Sequence, residues 1–163
     1  MAPSRIVAEP LPSEARVRNA TEADLPRLVE LLAQLSLDTP REDPGPPPPE
    51  TYRRAFREIE ADPRQRLLVV EVQARIVGTA TLIIVPNLSH GGRPYAIVEN
   101  VVVDAASRDS GHGELLLRHV IEEARRAGCY KLSLTSNKRR REAHRFYERL
   151  GFQATHEGYR VDL

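Results

Sequence analysis

The sequence has one cysteine (Cys129), no tryptophan, one methionine and only 5% aromatic residues in 163 positions. A lone cysteine excludes an internal disulfide and suits a reducing compartment. No apolar stretch approaches the length needed to cross a bilayer, and the opening MAPSRIVAEP holds no run that could serve as a signal sequence. The expectation is a cytoplasmic protein with no membrane partner. Charge of one sign is missing too: 24 Lys and Arg stand against 23 Asp and Glu, a net charge of +1. The whole-molecule balance therefore gives no reason to expect nucleic acid, and a charged ligand must be met by a local cluster. The five histidines show no metal-ligand spacing, and no metal is expected. What is present, 40% apolar and 29% charged residues, fits a soluble chain long enough for one full core and too short for two.

Residues 1–14 hold three prolines and little apolar content, and read as a flexible tail ahead of one domain over 15–163. Thr21 is placed to cap a helix, followed by Leu25, Leu28, Val29, Leu32 and Leu35 at helical spacing. The run 39–49, TPREDPGPPPP, excludes regular structure and serves either as a connector or as a flap over a site. A second helix is expected over about 50–60. The period then changes. Leu67–Val72 and Ile76–Val85 read as a hairpin, and Ala96–Val103, with six apolar residues in eight, as a central strand buried on both faces. A helix over 112–127 ends at Gly128, a strand covers Tyr130–Thr135, a helix over 140–149 ends at Gly151, and two short strands close the chain. The central strand, helix 112–127 and strand 130–135 form a βαβ unit with parallel outer strands.

The join at 108–113, Arg-Asp-Ser-Gly-His-Gly, follows a valine-rich strand and opens a helix. Glycines 111 and 113 let the backbone turn and approach a ligand. The exposed N–H groups of a helix start, with Arg108 beside them, suit a phosphate. A dinucleotide fingerprint would need a third glycine at 116, where Leu116 stands, and no Lys-Ser/Thr pair follows for a P-loop. On its own the loop is equally a tight strand-to-helix turn.

Arg108, Gly111 and Gly113 match the R-x-x-G-x-G motif of the GNAT acetyltransferase superfamily, and Ala143–Phe152 resembles its later signature. The resemblance covers about residues 15–163. Thr135–Lys138 with Ala143–Tyr147 is similar to bacterial members near the aminoalkylphosphonate N-acetyltransferases, and Ile97–Val103 to the corresponding strand of glucosamine-phosphate N-acetyltransferases. The resemblance implies an α/β (α+β) acyl-CoA N-acyltransferase fold, a mixed sheet of six to seven strands flanked by about four helices. It implies acetyl-CoA as cosubstrate and a homodimer. The implied CoA-binding residues are Val101, Val102, Val103, Arg108, Asp109, Ser110, Gly111, His112, Gly113, Glu114, Asn137, Arg140, Ala143, Phe146 and Tyr147. Family loops often carry more basic residues where this one has Asp109 and Ser110. The run Lys138–Arg141 either compensates by meeting the 3′-phosphate end of CoA or is a solvated helix start.

N-acetylation needs a base for the amine proton, donors for the oxyanion and a proton for the leaving thiolate. Glu99 interrupts an apolar strand and is the candidate base; burial would raise its pKa. The alternative is a structural hydrogen-bond pair. Tyr147 stands where the family places a tyrosine near the CoA sulfur and is the candidate acid; otherwise it is helix core. Asn137 resembles a pantetheine contact, or is a turn residue. The backbone N–H of Val102 is the candidate oxyanion donor, with Val101 and Val103 pairing the pantetheine arm. Cys129 has no activating neighbour in sequence, and reads as a small buried residue rather than an acyl carrier. His90, Arg93 and Tyr95 are candidates for the acceptor site. The expected function is direct transfer of acetyl from acetyl-CoA to the primary amine of a small acceptor, in a ternary complex. The alternatives are a protein lysine or N-terminal acetyltransferase and a non-catalytic CoA-binding module.

Overall fold

A computed structural model describes residues 15–45 and 48–163. The expected tail, 1–14, lies outside them. The first described element was not foreseen: β1 (Ala15–Asn19) pairs antiparallel with β2 (Gln65–Val72) from Ala15↔Val72 to Asn19↔Leu68. Five residues with two arginines carry little strand signal alone. Pairing with β2 makes them a strand, and Arg16 and Arg18 both donate to Glu71 on it. A 3-10 turn over Glu22–Asp24 follows, opened by Thr21, whose N–H donates to the Asp24 carboxylate at 2.8 Å. Helix α1 (Leu25–Ala33) ends sooner than its apolar spacing predicts, and α2 (Glu50–Ala61) begins after the prolines.

Strands β2 and β3 (Arg75–Val85) form the expected hairpin. The one-turn α3 (Ser89–Gly92) leads to β4 (Tyr95–Val103). Helix α4 (His112–Arg126) then crosses over to β5 (Leu132–Ser133), which runs parallel to β4, and α5 (Arg141–Arg149) follows. The sheet order is β1-β2-β3-β4-β5. The α/β class and the parallel βαβ unit stand as expected. Three details are corrected. Five strands are described rather than six or seven, because residues 152–163 join no ladder. Strand 130–135 shrinks to two residues, because β5 leaves β4 after Ile97↔Ser133. The central strand is β3; β4 is next to last, with Ala96, Val98 and Val102 buried and Asn100 exposed.

The sheet separates two cores. On one face Leu116, Leu117, Val120 and Ala124 of α4 pack against Leu68, Val70, Leu82 and Val98. On the other, Leu25, Leu28, Val29 and Leu31 of α1 and Phe56 of α2 cover Val69, Ile76 and Val102. Alternation along a strand puts residues four apart on one face. Val98 and Val102 nonetheless lie on opposite faces, and the register explains why.

Candidate active site

Thr79 of β3 pairs with Val102, and Thr81 with Glu99, so two steps on β3 match three on β4. The extra residue makes a bulge, and Asn100 takes a left-handed backbone with φ 54°. Asn is among the few residues that tolerate this conformation. The bulge switches the facing of β4: Val98 belongs to the α4 side, whereas Glu99 and Val102 lie across the sheet from it. Sequence reasoning missed Asn100, although an asparagine between Glu99 and three valines is itself a signal. Beyond Ile97 the edge of β4 toward β5 has no ladder partner, and this stretch holds Val101, Val102 and Val103.

Tyr147 comes to the same opening from α5. Its ring lies 5.5 Å from the Phe146 ring and 5.8 Å from Phe152. Desolvation raises the Tyr147 phenol above its ordinary value; the nearby Arg140 cation opposes the rise and the Glu99 carboxylate adds to it. Glu99, Tyr147 and Arg140 thus share one electrostatic neighbourhood. Glu99 is half-buried.

Residues 108–113 make a tight strand-to-helix turn, the form that the phosphate-cradle and plain-turn readings share. A 3-10 turn over Ala105–Ser107 leads to Arg108, which is exposed. Asp109 adopts φ 62° and Gly111 φ 78°. The left-handed turn gives a backbone reason for an aspartate where the family resemblance suggests more basic character. Ser110 Oγ donates to the Arg108 carbonyl at 3.4 Å. Gly113 does different work from Gly111. A Cβ there would sit 3.1 Å from Phe146 Cζ and 3.4 Å from Val103 Cγ2. Its bare backbone therefore lets α4 approach α5 and β4, joining the cradle to the tyrosine-bearing helix. Glu114 of the first turn of α4 is exposed and pairs with Arg118 at 2.7 Å.

Helix α1, at Arg27 in its first turn and at Gln34 just past its end, is tied to β3 and to the residues that follow β4. Arg27 donates to the Ile76 carbonyl at 3.0 Å and also to Asp104, which directly follows β4. The Gln34 amide donates to Asp104 at 3.3 Å and accepts from the Ala105 N–H at 2.9 Å. Desolvation pushes the Asp104 carboxyl up, but the Ala106 N–H, Gln34 and Arg27 together hold it below its usual range. One residue further on, the Leu35 carbonyl accepts from Arg140, and Asp38 takes Arg139 at 2.8 and 3.1 Å. Two of the four cations in Lys138–Arg141 are thus turned toward the α1–α2 connection. Asn137 Oδ1 accepts the Arg139 N–H at 2.9 Å, and its carbonyl contacts His144 Nε2 at 2.9 Å. Its side-chain oxygen is therefore used in the turn. Ala143 and Phe146 are half-buried on α5 beside Tyr147. Two buried side-chain polar atoms find no partner among the described residues: Ser36 Oγ beside the α1 tie and His112 Nδ1 at the start of α4.

Other candidates fall elsewhere. His90 stacks on Tyr130 at 3.8 Å and Tyr95 meets Tyr130 edge-on at 6.4 Å, both where β4 begins, away from the cradle. Burial pushes the Cys129 thiol up against a smaller opposing pull from Arg93, which disfavours the thiolate. No group of three or more His, Cys, Asp or Glu able to hold a metal occurs among the described residues.

The Acetyltransferase (GNAT) family pattern matches residues 29–152. Glucosamine 6-phosphate N-acetyltransferase of Trypanosoma brucei brucei is 39% identical over 109 residues, covering 63% of this chain and 72% of that protein. Aminoalkylphosphonate N-acetyltransferase of Salmonella typhimurium is 33% identical over 107 residues, 66% of this chain and 69% of that one. A solved Bacillus halodurans C-125 structure, described as a transcriptional regulator, superposes with a TM-score of 0.88 at 39% identity, over 92% of this chain and all of that one.

Proposed function

The chain belongs to the acetyltransferase (GNAT) family and is an acetyl-CoA-dependent N-acetyltransferase acting on an amine, and from that premise we propose how it works and on what. The acceptor is a small primary amine that carries a phosphate or phosphonate group. Support comes from the two relatives above, whose named acceptors share a phosphorus oxyanion. The amine attacks the thioester carbonyl directly in a ternary complex. Glu99 takes the amine proton, the Val102 N–H donates to the oxyanion, and the C–S bond breaks as Tyr147 gives its proton to the thiolate. The phenol is protonated at neutral pH, as an acid must be. Arg108 and the first N–H groups of α4 hold the pyrophosphate, with Gly111 shaping the approach. Backbone groups of Val101 and Val103 pair with the pantetheine arm. The reading includes a homodimer, as the family resemblance implies.

The observation that carries the proposal is that β4 loses its partner past Ile97↔Ser133, and that Val103 of this stretch and Phe146, whose ring lies 5.5 Å from the Tyr147 ring, both meet Gly113 at the start of α4. A thiol-release assay with acetyl-CoA tests the acceptor class. Aminoalkylphosphonates and amino-sugar phosphates would be compared with the same amines lacking phosphorus and with lysine peptides. The phosphorus-bearing amines should give the highest kcat/KM, by about tenfold or more, the scale of one charge-assisted hydrogen bond. Equal turnover of amines without phosphorus, or preference for peptides, would overturn the acceptor class.

A further inference from the structure

A phosphorus oxyanion drawn out of water into a site needs a cation with donors to spare. The cations around the opening are mostly committed. Arg108 belongs to the cradle ahead of α4. Arg27 is neutralised by Glu30 at 2.8 Å and by Asp104. Arg139 is exposed and already forked on Asp38. Arg93 precedes the other end of β4. Arg140 differs from all of these. It is half-buried, and among the described residues it has no carboxylate partner. Only its Nη2 is used, on the Leu35 carbonyl, so the rest of its N–H donors are free.

Its place is set by α5. Arg140, Ala143, Tyr147 and Leu150 recur at helical spacing and are all half-buried, whereas Arg141, Arg145 and Arg149 are exposed. Arg140 therefore heads the inward row that carries Tyr147, with the small Ala143 between them. The bond to Leu35 turns the guanidinium toward the end of α1. Its charge is felt at the phenol, where desolvation raises the Tyr147 pKa and Arg140 opposes the rise. A cation just ahead of α5 also opposes the helix dipole, and no side chain caps that end. A bound anion removes that conflict. We propose that Arg140 reads the acceptor's phosphorus group, forking its free donors onto two of the oxyanion's oxygens while the amine reaches Glu99. This rests on the acceptor class in the functional reading and names the residue that selects it. The family resemblance implies Arg140 as a CoA contact; the free donors and the tie to α1 assign it to the acceptor instead.

The test compares wild type, Arg140→Gln, Arg140→Lys and, as a control on the outer face of α5, Arg145→Gln. Thiol release is measured with an aminoalkylphosphonate and with the alkylamine of the same length, and acetyl-CoA affinity by calorimetry. Arg140→Gln should cut the preference for the phosphonate by about tenfold or more, the scale of a lost charge-assisted contact, and chiefly through KM. Its Kd for acetyl-CoA should change by less than about twofold. Arg140→Lys keeps the charge and a donor for Leu35 but loses the fork, and should fall between the two. Arg145→Gln should keep the full preference. A wild type with no preference would overturn the acceptor class and this assignment with it. A wild-type preference kept in full by either Arg140 variant would overturn the assignment alone. So would an acetyl-CoA Kd raised about tenfold with the preference intact, which would return Arg140 to CoA.

Discussion

Replacing Gly113 by alanine puts a methyl group 3.1 Å from Phe146 Cζ and 3.4 Å from Val103 Cγ2, inside the comfortable carbon–carbon separation of about 3.5–4.0 Å. The Phe146 ring has little room to yield, since the Tyr147 ring lies 5.5 Å away and the Arg149 guanidinium 5.8 Å. Overpacking of this kind costs about 1–3 kcal/mol. Alanine gains roughly 0.5–1 kcal/mol over glycine in a helix, which offsets part of it. The net expectation is a loss of up to about 2.5 kcal/mol, which for a chain of this size lowers Tm by up to about 10 °C. Thermal and urea denaturation of Gly113→Ala measure it. Repeating the substitution in a Phe146→Leu background, which removes the offending ring atom, should recover at least about half of the loss. If Gly113→Ala raises Tm, or costs the same in both backgrounds, the glycine is not there for helix packing and the reasoning fails.

Three further outcomes are expected. Arg108→Glu, at an exposed position, should weaken acetyl-CoA binding by about tenfold in calorimetry with Tm unchanged, the scale of one lost charge-assisted contact; unaltered affinity would remove Arg108 from the cradle. Asp24 is held below its ordinary pKa, first by its hydrogen bond from Arg18, against a rise from desolvation, and Asp104 is lowered as well. Depressed carboxyl pKa values give stability that is present above the unfolded value, about pH 4, and is lost as pH falls through the folded values; Asp24→Asn should flatten that acid limb in pH-dependent denaturation, and an unchanged limb would count against the Arg18 pairing. Cys129→Ser should keep wild-type kcat in the thiol-release assay, because the thiol is raised by burial; a loss of about a hundredfold, the scale of a missing nucleophile, would restore the acyl-enzyme route.

The long periodic segments were legible before any coordinates. Helix α4 follows from Leu116, Leu117, Val120 and Ala124, and the hairpin from two β-rich runs split by three residues. The features that build the site were less so. The bulge at Asn100 depends on register with β3, and a strand's own sequence says little about its partner's count. Strand β1 exists through pairing with β2. Arg27, Gln34 and Asp104 are far apart in sequence, and ordinary polar residues carry no local sign of a shared contact. Gly113 was legible as a glycine needed for close approach, but the approach in the structure is to Phe146. The closing strands expected near 152–163 are legible in alternation, but in the structure these residues join no ladder.

The account stands or falls on acetyl transfer at the point where β5 leaves β4, with Tyr147 as the acid. Steady-state thiol release from acetyl-CoA, with a phosphorus-bearing amine as acceptor, would be compared for wild type and Tyr147→Phe, alongside calorimetric acetyl-CoA affinity. The account predicts a kcat at least about a hundredfold lower in the variant, the usual scale of a lost general acid, with Kd changed by less than about twofold. A variant that keeps wild-type kcat would contradict it.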